Sequence, residues 1–264
     1  MGTRLEGKVA VIVGAGQSAG ETMGNGRATA ITFAREGAAV VLVDRDPESL
    51  AETARQIDGP AVTQVVADVA ADDGPDRIVA AAVDAHGGFD ILHNNVGIGA
   101  GDGPPHHLTD DGYDLIMDVN LRAMWRTCRA AVPVLRARGG GAIVNISSLA
   151  AIAAAGNQAA YKLSKAGVNA LTHTLAITNA KHRVRVNAIM PGFIDTPMAV
   201  DALARALDTD RDIVAERRAA AVPLGRQGTA WDVANAALFL ASDEAAFITG
   251  VLLAVDGGQS ARIG

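Results

Sequence analysis

Seven short apolar runs, separated by longer stretches with helical spacing, recur along the whole chain, and this rhythm limits the fold more than any other feature. The runs are residues 9–13, 39–43, 63–67, 91–94, 142–146, 183–189 and 251–255. Several are apolar throughout, as strands covered on both faces must be. Helical spacing fills the intervals 26–36, 47–56, 74–86, 110–138, 158–181 and 230–242. A strand that returns parallel to its predecessor needs a long crossover, and a helix supplies it. The pattern therefore predicts a doubly wound α/β fold, with a seven-stranded, mostly parallel sheet between two helical layers.

Local signals agree. Asp46 before Pro47 and Thr109 before Asp110-Asp111 read as helix starts. Gly37, Gly87-Gly88 and Gly139 to Gly141 read as stops. The chain has 264 residues, no linker-like stretch and no internal repeat, so a single domain over 1–264 is expected. Its 49% apolar residues include only 3% aromatic ones, which suits close helix-on-sheet packing. Residues 191–223 are the least regular and read as a mobile helical flap.

Composition also excludes classes of function. The net charge of −6 is scattered and forms no basic stripe, so nucleic acid is not an expected partner. The lone Cys128 permits neither an internal disulfide nor a cysteine zinc site, and reads as a small buried helix residue. His106-His107 lack metal-ligand spacing, and His173 and His182 need no function; no metal is expected. No apolar leader and no membrane-length apolar stretch is present, so a soluble, cytoplasmic protein is expected. Lysine occurs only at positions 8, 162, 165 and 181, which makes Lys165 conspicuous.

The first apolar run ends in "GAGQSAGETMGNG". In a dinucleotide-binding βαβ unit, glycines at this point let the backbone turn sharply and approach a pyrophosphate, and the next helix aims its N-terminal N–H groups at it. Gly14, Gly24, Asn25 and Gly26 are placed to do this. Gly14 and Gly24 stand ten positions apart, wider than the simple fingerprint, so residues 15–23 form an excursion. It is either a small lid over the cofactor or an ordinary surface insertion, and Gly20 is a further candidate phosphate contact. The next run ends at Asp44, where a carboxylate accepts hydrogen bonds from the adenosine ribose hydroxyls and repels a 2′-phosphate. That favours NAD over NADP. Arg45 is the residue that argues the other way, and Asp46 is the better helix cap.

Ser147-Ser148 follow the fifth run, at the strand end where open α/β sheets place their chemistry. Tyr161 and Lys165 lie four apart at the start of a helix, on one face. Together with the glycine loop and Asp44, this set resembles the classical branch of the short-chain dehydrogenase/reductase family, from Lys8 to Gly258. Its Y-x-x-x-K motif stands as Tyr161 to Lys165, thirteen positions after Ser148, with Ser147 the neighbouring alternative. The N-N-A-G motif appears as Asn94, Asn95, Val96 and Gly97; the tetrad asparagine matches Asn120. The P-G segment with its threonine matches Pro191, Gly192, Ile194 and Thr196, and Asp68-Val69 match the adenine-contacting pair. The expanded glycine loop is the one departure.

The resemblance implies a Rossmann-like fold and an NAD-dependent enzyme that interconverts a secondary alcohol and its ketone. Tyr161 would act as acid/base, Lys165 would stabilise its phenolate and hold the nicotinamide ribose, and Ser148 would steady the substrate oxygen. Asn120 would hold a water that completes a proton path, while Thr196 and the backbone near Ile194 bind the carboxamide. Met190, Phe193 and Met198 suggest an apolar or cyclic substrate, and Arg205, Arg211, Arg217 and Arg218 a solvated helix face. A homotetramer is expected, as in relatives. The rival readings are an NADPH-dependent ketoreductase and a non-catalytic dinucleotide sensor.

Overall fold

The computed structural model describes residues 3–58, 61–153 and 156–262. Seven parallel strands form the sheet in the order β3-β2-β1-β4-β5-β6-β9. They are β1 (Val9–Val13), β2 (Ala39–Asp44), β3 (Val62–Val66), β4 (Ile91–Asn94), β5 (Gly141–Ile146), β6 (Val184–Pro191) and β9 (Leu252–Val255). The remaining pair, β7 (Ile194–Asp195) and β8 (Gly228–Thr229), makes a separate two-stranded ribbon. The helices are α1 (Asn25–Arg35), α2 (Pro47–Arg55), α3 (Gly74–His86), α4 (Asp110–Met117), α5 (Ala123–Ala137) and α6 (Ala159–Asn179), then α7 (Ala202–Ala206), α8 (Arg211–Ala220) and α9 (Ala230–Ala241).

Strand periodicity divides the core in two. Ala10 and Ile12 of β1 face a layer with Phe33 and Ala34 of α1 and Val233 and Leu240 of α9. Val9, Val11 and Val13 face the opposite layer, with Ile78 of α3, Leu135 of α5 and Val168 of α6. Each face of β1 is thus sealed by a different helical layer, the reason its sequence is apolar at every position.

The winding direction reverses between β1 and its two neighbours, β2 and β4. Loops leaving the carboxyl ends of these strands diverge there and leave a crevice, the usual ligand position in such sheets.

Predicted ends moved by one or two residues in most elements. A larger correction concerns the expected helix over 110–138. It runs as α4, a π-helical turn Asp118–Arg122 and then α5. The wider turn carries Asn120 inward, where it is fully buried. The flap is also more regular than expected: β7, a π-helical turn Pro197–Asp201, α7 and α8 account for most of it.

Candidate active site

Gly14 follows β1 with φ +85°, a conformation that favours glycine. Gly26 opens the first turn of α1 so close to it that a Cβ would stand 1.8 Å from the Gly14 carbonyl oxygen. Asn95 donates from Nδ2 to the same oxygen at 3.1 Å, which ties the end of β4 to the loop. At Gly24, the N-cap of α1, no side chain caps the helix, and its first turn holds no acid. Its free N–H groups and dipole thus remain available to an anion. Arg27 turns away into the core, donating to Thr53 Oγ1 at 2.8 Å and to the Ser49 carbonyl at 3.0 Å.

Asp44 ends β2 beside this loop. Its Oδ2 accepts from the Gly16 N–H at 2.8 Å and its Oδ1 from the Asp46 N–H at 3.1 Å. A carboxylate offers about four acceptor positions, so two remain for a hydroxylated ligand. Asp46 caps α2 through the N–H groups of Glu48 and Ser49, and Arg45 is exposed. Past β3, Asp68 is exposed and Val69 buried.

The excursion of residues 15–23 is more than an ordinary surface insertion. Gln17 folds it back, its Oε1 accepting from the Gly24 N–H at 2.9 Å, while Ser49 Oγ accepts from the Gln17 N–H at 2.8 Å. Its tip docks on the flap. Glu21 N–H donates to Asp201 Oδ1 at 3.1 Å, and Thr22 Oγ1 donates to Asp195 Oδ1 at 3.4 Å. Arg211 of α8 sits among Asp195 at 2.6 Å, Asp201 at 3.6 Å and Glu21 at 3.7 Å. Burial opposes the Arg211 charge, but the carboxylates, Asp195 foremost, outweigh it and hold its pKa above the ordinary value. Gly20 packs against Pro197 and Asp201, so its neighbour is the flap.

Arg211 and Arg218 therefore do not join a solvated face as expected; Arg205 and Arg217 are exposed. Arg218 lies over the Phe193 ring, 4.3 Å from its centroid, and donates to Gln227 at 2.7 Å. Of the apolar residues expected to border substrate, Phe193 is taken up by that stack and Met190 is buried against Asn169. Met198 stays exposed. The backbone between them is held from the C-terminal side: Gly192 N–H donates to the Val255 carbonyl, and Phe193 N–H to Gln259 Oε1 at 2.7 Å. Pro191, Ile194 and Thr196 are buried in this segment.

The third group gathers at the ends of β4 and β5 and the start of α6. Ser147 is buried and donates to the Lys165 carbonyl at 3.1 Å, which leaves Ser148 as the serine facing Tyr161. The Ser148 hydroxyl bonds the Tyr161 hydroxyl. Burial raises the phenol's pKa above its ordinary value, and the Ser148 bond draws it back. Lys165 is 2% exposed; its Nζ donates to the Ile146 carbonyl at 2.9 Å and lies 5.7 Å from the Tyr161 ring centroid. Burial pulls its pKa down to about 8.

Gly97 passes so near that a Cβ would stand 3.1 Å from Lys165 Nζ. Asn120 spends its amide locally, accepting from the Ile98 N–H at 2.8 Å and donating to the Ile98 carbonyl at 2.9 Å and to Ser164 Oγ at 3.1 Å. Asn94, by contrast, is part of the core: it donates to Asn145 Oδ1 at 2.9 Å and to the buried Cys128 sulfur at 3.3 Å. Val96 lines the Gly14 turn.

A crevice with an uncapped helix N-terminus, a strand-end carboxylate and a Ser–Tyr–Lys cluster invites comparison with known proteins. The family model described as "Enoyl-(Acyl carrier protein) reductase" matches residues 19–260. The chain is 36% identical over 257 residues to the 3-oxoacyl-[acyl-carrier-protein] reductase of Thermotoga maritima, covering 97% of this chain and 98% of that one. The chain belongs to the short-chain dehydrogenase/reductase family.

Two solved family members share its fold closely. A short-chain dehydrogenase/reductase structure from Burkholderia xenovorans superposes with a TM-score of 0.93 at 41% identity, covering 99% of this chain and 100% of that one. Carveol dehydrogenase from Mycobacterium avium, solved with NAD, superposes with a TM-score of 0.90 at 32% identity, covering 98% of this chain and 100% of that one. The chain is therefore a short-chain oxidoreductase that acts on an alcohol or ketone, with the NAD(P) cofactor typical of the family. No helix among the described residues is long and apolar enough to cross a membrane.

Sequence reasoning missed Asp102, which bonds the first turn of α6, and the Arg211 cluster. Lys162 was also missed; it donates to the carbonyls of Ala150 and Ala153 at 3.2 and 2.6 Å and pins the chain after Ser148 to α6. A carboxylate followed by Gly-Pro was the one hint at Asp102.

Proposed function

We propose that this chain is a one-domain, NAD-dependent dehydrogenase of apolar or cyclic secondary alcohols, with Tyr161 as its acid/base. The observation that carries the reading is the convergence of Ser148, Tyr161 and Lys165 beside a crevice that Asp44 closes on the ribose side. Bound NAD supplies a nicotinamide ring able to accept a hydride from the carbinol carbon.

The protein handles the proton. Tyr161 removes it from the substrate hydroxyl, and Ser148 donates to the substrate oxygen and fixes its position. The Lys165 charge near the ring favours the phenolate that burial alone disfavours. Asn120 holds Ile98 and so the strand-end backbone that flanks Lys165, a local duty that accompanies the proposed water path.

Gly14, Gly24, Asn25 and Gly26 would face the pyrophosphate. Asp68 and Val69 would border the adenine, and Asn95, Val96 and Gly97 the ribose side. Pro191, Gly192, Ile194 and Thr196 would meet the carboxamide. Asp44, with free acceptor positions, favours ribose hydroxyls over a 2′-phosphate. Exposed Ile152 and Met198, on the two segments that border the crevice, support an apolar substrate, and carveol is itself a cyclic secondary alcohol.

Assembly as a homotetramer is part of the proposal. Support comes from a shallow apolar groove of Met117, Leu121, Trp125 and Leu171 on the outer face of α4, α5 and α6, with Trp125 45% exposed. Light scattering should report four chains, and a monomer would refute this. For the reaction, wild type is assayed with NAD and with NADP on cyclic, aryl and acyclic secondary alcohols. NAD should give the higher kcat/KM on the cyclic members; a preference for NADP would favour the ketoreductase reading, and silence with both the sensor.

A further inference from the structure

α6 carries Tyr161 in its first turn, yet its own N-cap residue, Gln158, makes no side-chain capping bond. The N–H groups left over are met from a loop nearly sixty residues earlier in the chain. Asp102 Oδ2 accepts from the Tyr161 N–H at 2.8 Å, and Asp102 Oδ1 from the Ala160 N–H at 3.0 Å. The next residue completes the set: the Gly103 carbonyl accepts from the Ala159 N–H at 3.2 Å. Three successive donors of the helix are thus satisfied by two residues of the loop that follows β4.

That loop also forms a wall of the site. At Gly99 a Cβ would stand 3.9 Å from Tyr161 Cδ2, so the loop backbone runs alongside the ring. We propose that Asp102 is a positioning residue, whose carboxylate clamps the β4 loop to the first turn of α6 and thereby fixes the Tyr161 phenol against Ser148. The proposal rests on Tyr161 as the acid/base of the reaction.

Its test is independent of substrate. The chain has two tyrosines, so in a Tyr113→Phe background the tyrosinate absorbance titrates Tyr161 alone. The charged groups that bear on Tyr161 are Lys165 from its own helix and Asp102 from the β4 loop; Lys162 is engaged with Ala150 and Ala153. Ser148, which faces it from the end of β5, is neutral, as is Asn120 of the π-helical turn, which bonds Ser164.

Burial keeps the parent midpoint above the ordinary value of about 10. Asp102→Ala frees the turn, admits water and lowers the midpoint by about one unit. Asp102→Asn keeps one acceptor oxygen for the two N–H groups that Asp102 holds, so its midpoint falls by about half as much as that of Asp102→Ala. Should Asp102→Ala not fold, Asp102→Glu takes its place: it keeps the charge but misplaces the oxygens, and the same fall is expected. A midpoint unmoved by Asp102→Ala and Asp102→Glu would overturn the proposal. So would an Asp102→Asn midpoint that falls as far as that of Asp102→Ala while Asp102→Glu leaves it unmoved, since charge would then be the cause. With a secondary alcohol, Asp102→Ala should lower kcat about tenfold and leave the NADH dissociation constant unchanged. If the parent oxidises no alcohol, the acid/base reading fails while the titration still decides the role of Asp102.

Discussion

The two loops that meet the crevice from opposite sides are built on different terms. At the proposed catalytic end, Ser148, Tyr161 and Lys165 come together at the spacing their sequence displays, and Tyr161 and Lys165 are joined by one turn of helix. At the glycine-loop end, residues 15–23 depart from the simple glycine fingerprint. Their tip is held by Asp195, Asp201 and Arg211, more than 170 positions away along the chain. The pairing of Tyr161 with Lys165 is set by local helix geometry; the glycine loop borrows its shape from the flap.

The comparison can be broken first at its local side. Tyr161→Phe keeps the ring but removes the hydroxyl, and turnover should fall about a thousandfold with NADH binding intact. Steady-state kinetics with fluorescence titration of NADH would check this. Asp44→Ala tests the cofactor end of the same crevice. Loss of charge-assisted bonds to the ribose should lower kcat/KM for NAD about tenfold to a hundredfold while NADP gains.

Breaking the distant side should cost stability before chemistry. Arg211→Gln leaves the nearly buried Asp201 without its ion pair. Because Glu21 is exposed and Arg211 partly so, screening reduces the loss to about 1–2 kcal/mol. A lower urea midpoint and faster proteolysis within residues 15–23 are the expected readings. An unchanged loop would mean that the flap contact does not shape it.

A fourth prediction sharpens what counts as site. His93 is fully buried in β4 beside the Phe33 ring, and burial pulls its pKa down to about 3. The unfolded chain takes up that proton below about pH 6.5 while the folded chain does not, so the stability contributed by neutral His93 is present above that pH and lost as pH falls toward about 3. From about pH 7 to about pH 5 the wild type should lose about 2 kcal/mol more than His93→Phe. Urea titrations at the two pH values measure the difference, and activity at neutral pH should be unaffected.

These contrasts explain what could be read in the sequence. β1, β4 and the caps at Asp46 and Thr109 were legible because their signals sit within a few residues of one another. So were Ser148, Tyr161 and Lys165. The π-helical turn at Asn120 was not, because one extra residue in a helix leaves apolar spacing almost unchanged. Asp102 and Arg211 stayed hidden for another reason: each finds its partners across a tertiary contact, and no local spacing encodes such a pair. Spacing to Tyr161 favoured Ser148 over Ser147, and the strand end agrees by turning Ser147 onto the Lys165 carbonyl.

The most direct test of the account follows the hydride itself. A cyclic secondary alcohol deuterated at the carbinol carbon is incubated with NAD and either wild type or Tyr161→Phe, and the reduced cofactor is analysed by mass spectrometry. The account predicts one deuterium in the NADH formed by wild type and about a thousandfold slower formation of reduced cofactor with Tyr161→Phe. Deuterium transfer of equal extent in both proteins would contradict it, because the proton of the alcohol would then leave without Tyr161.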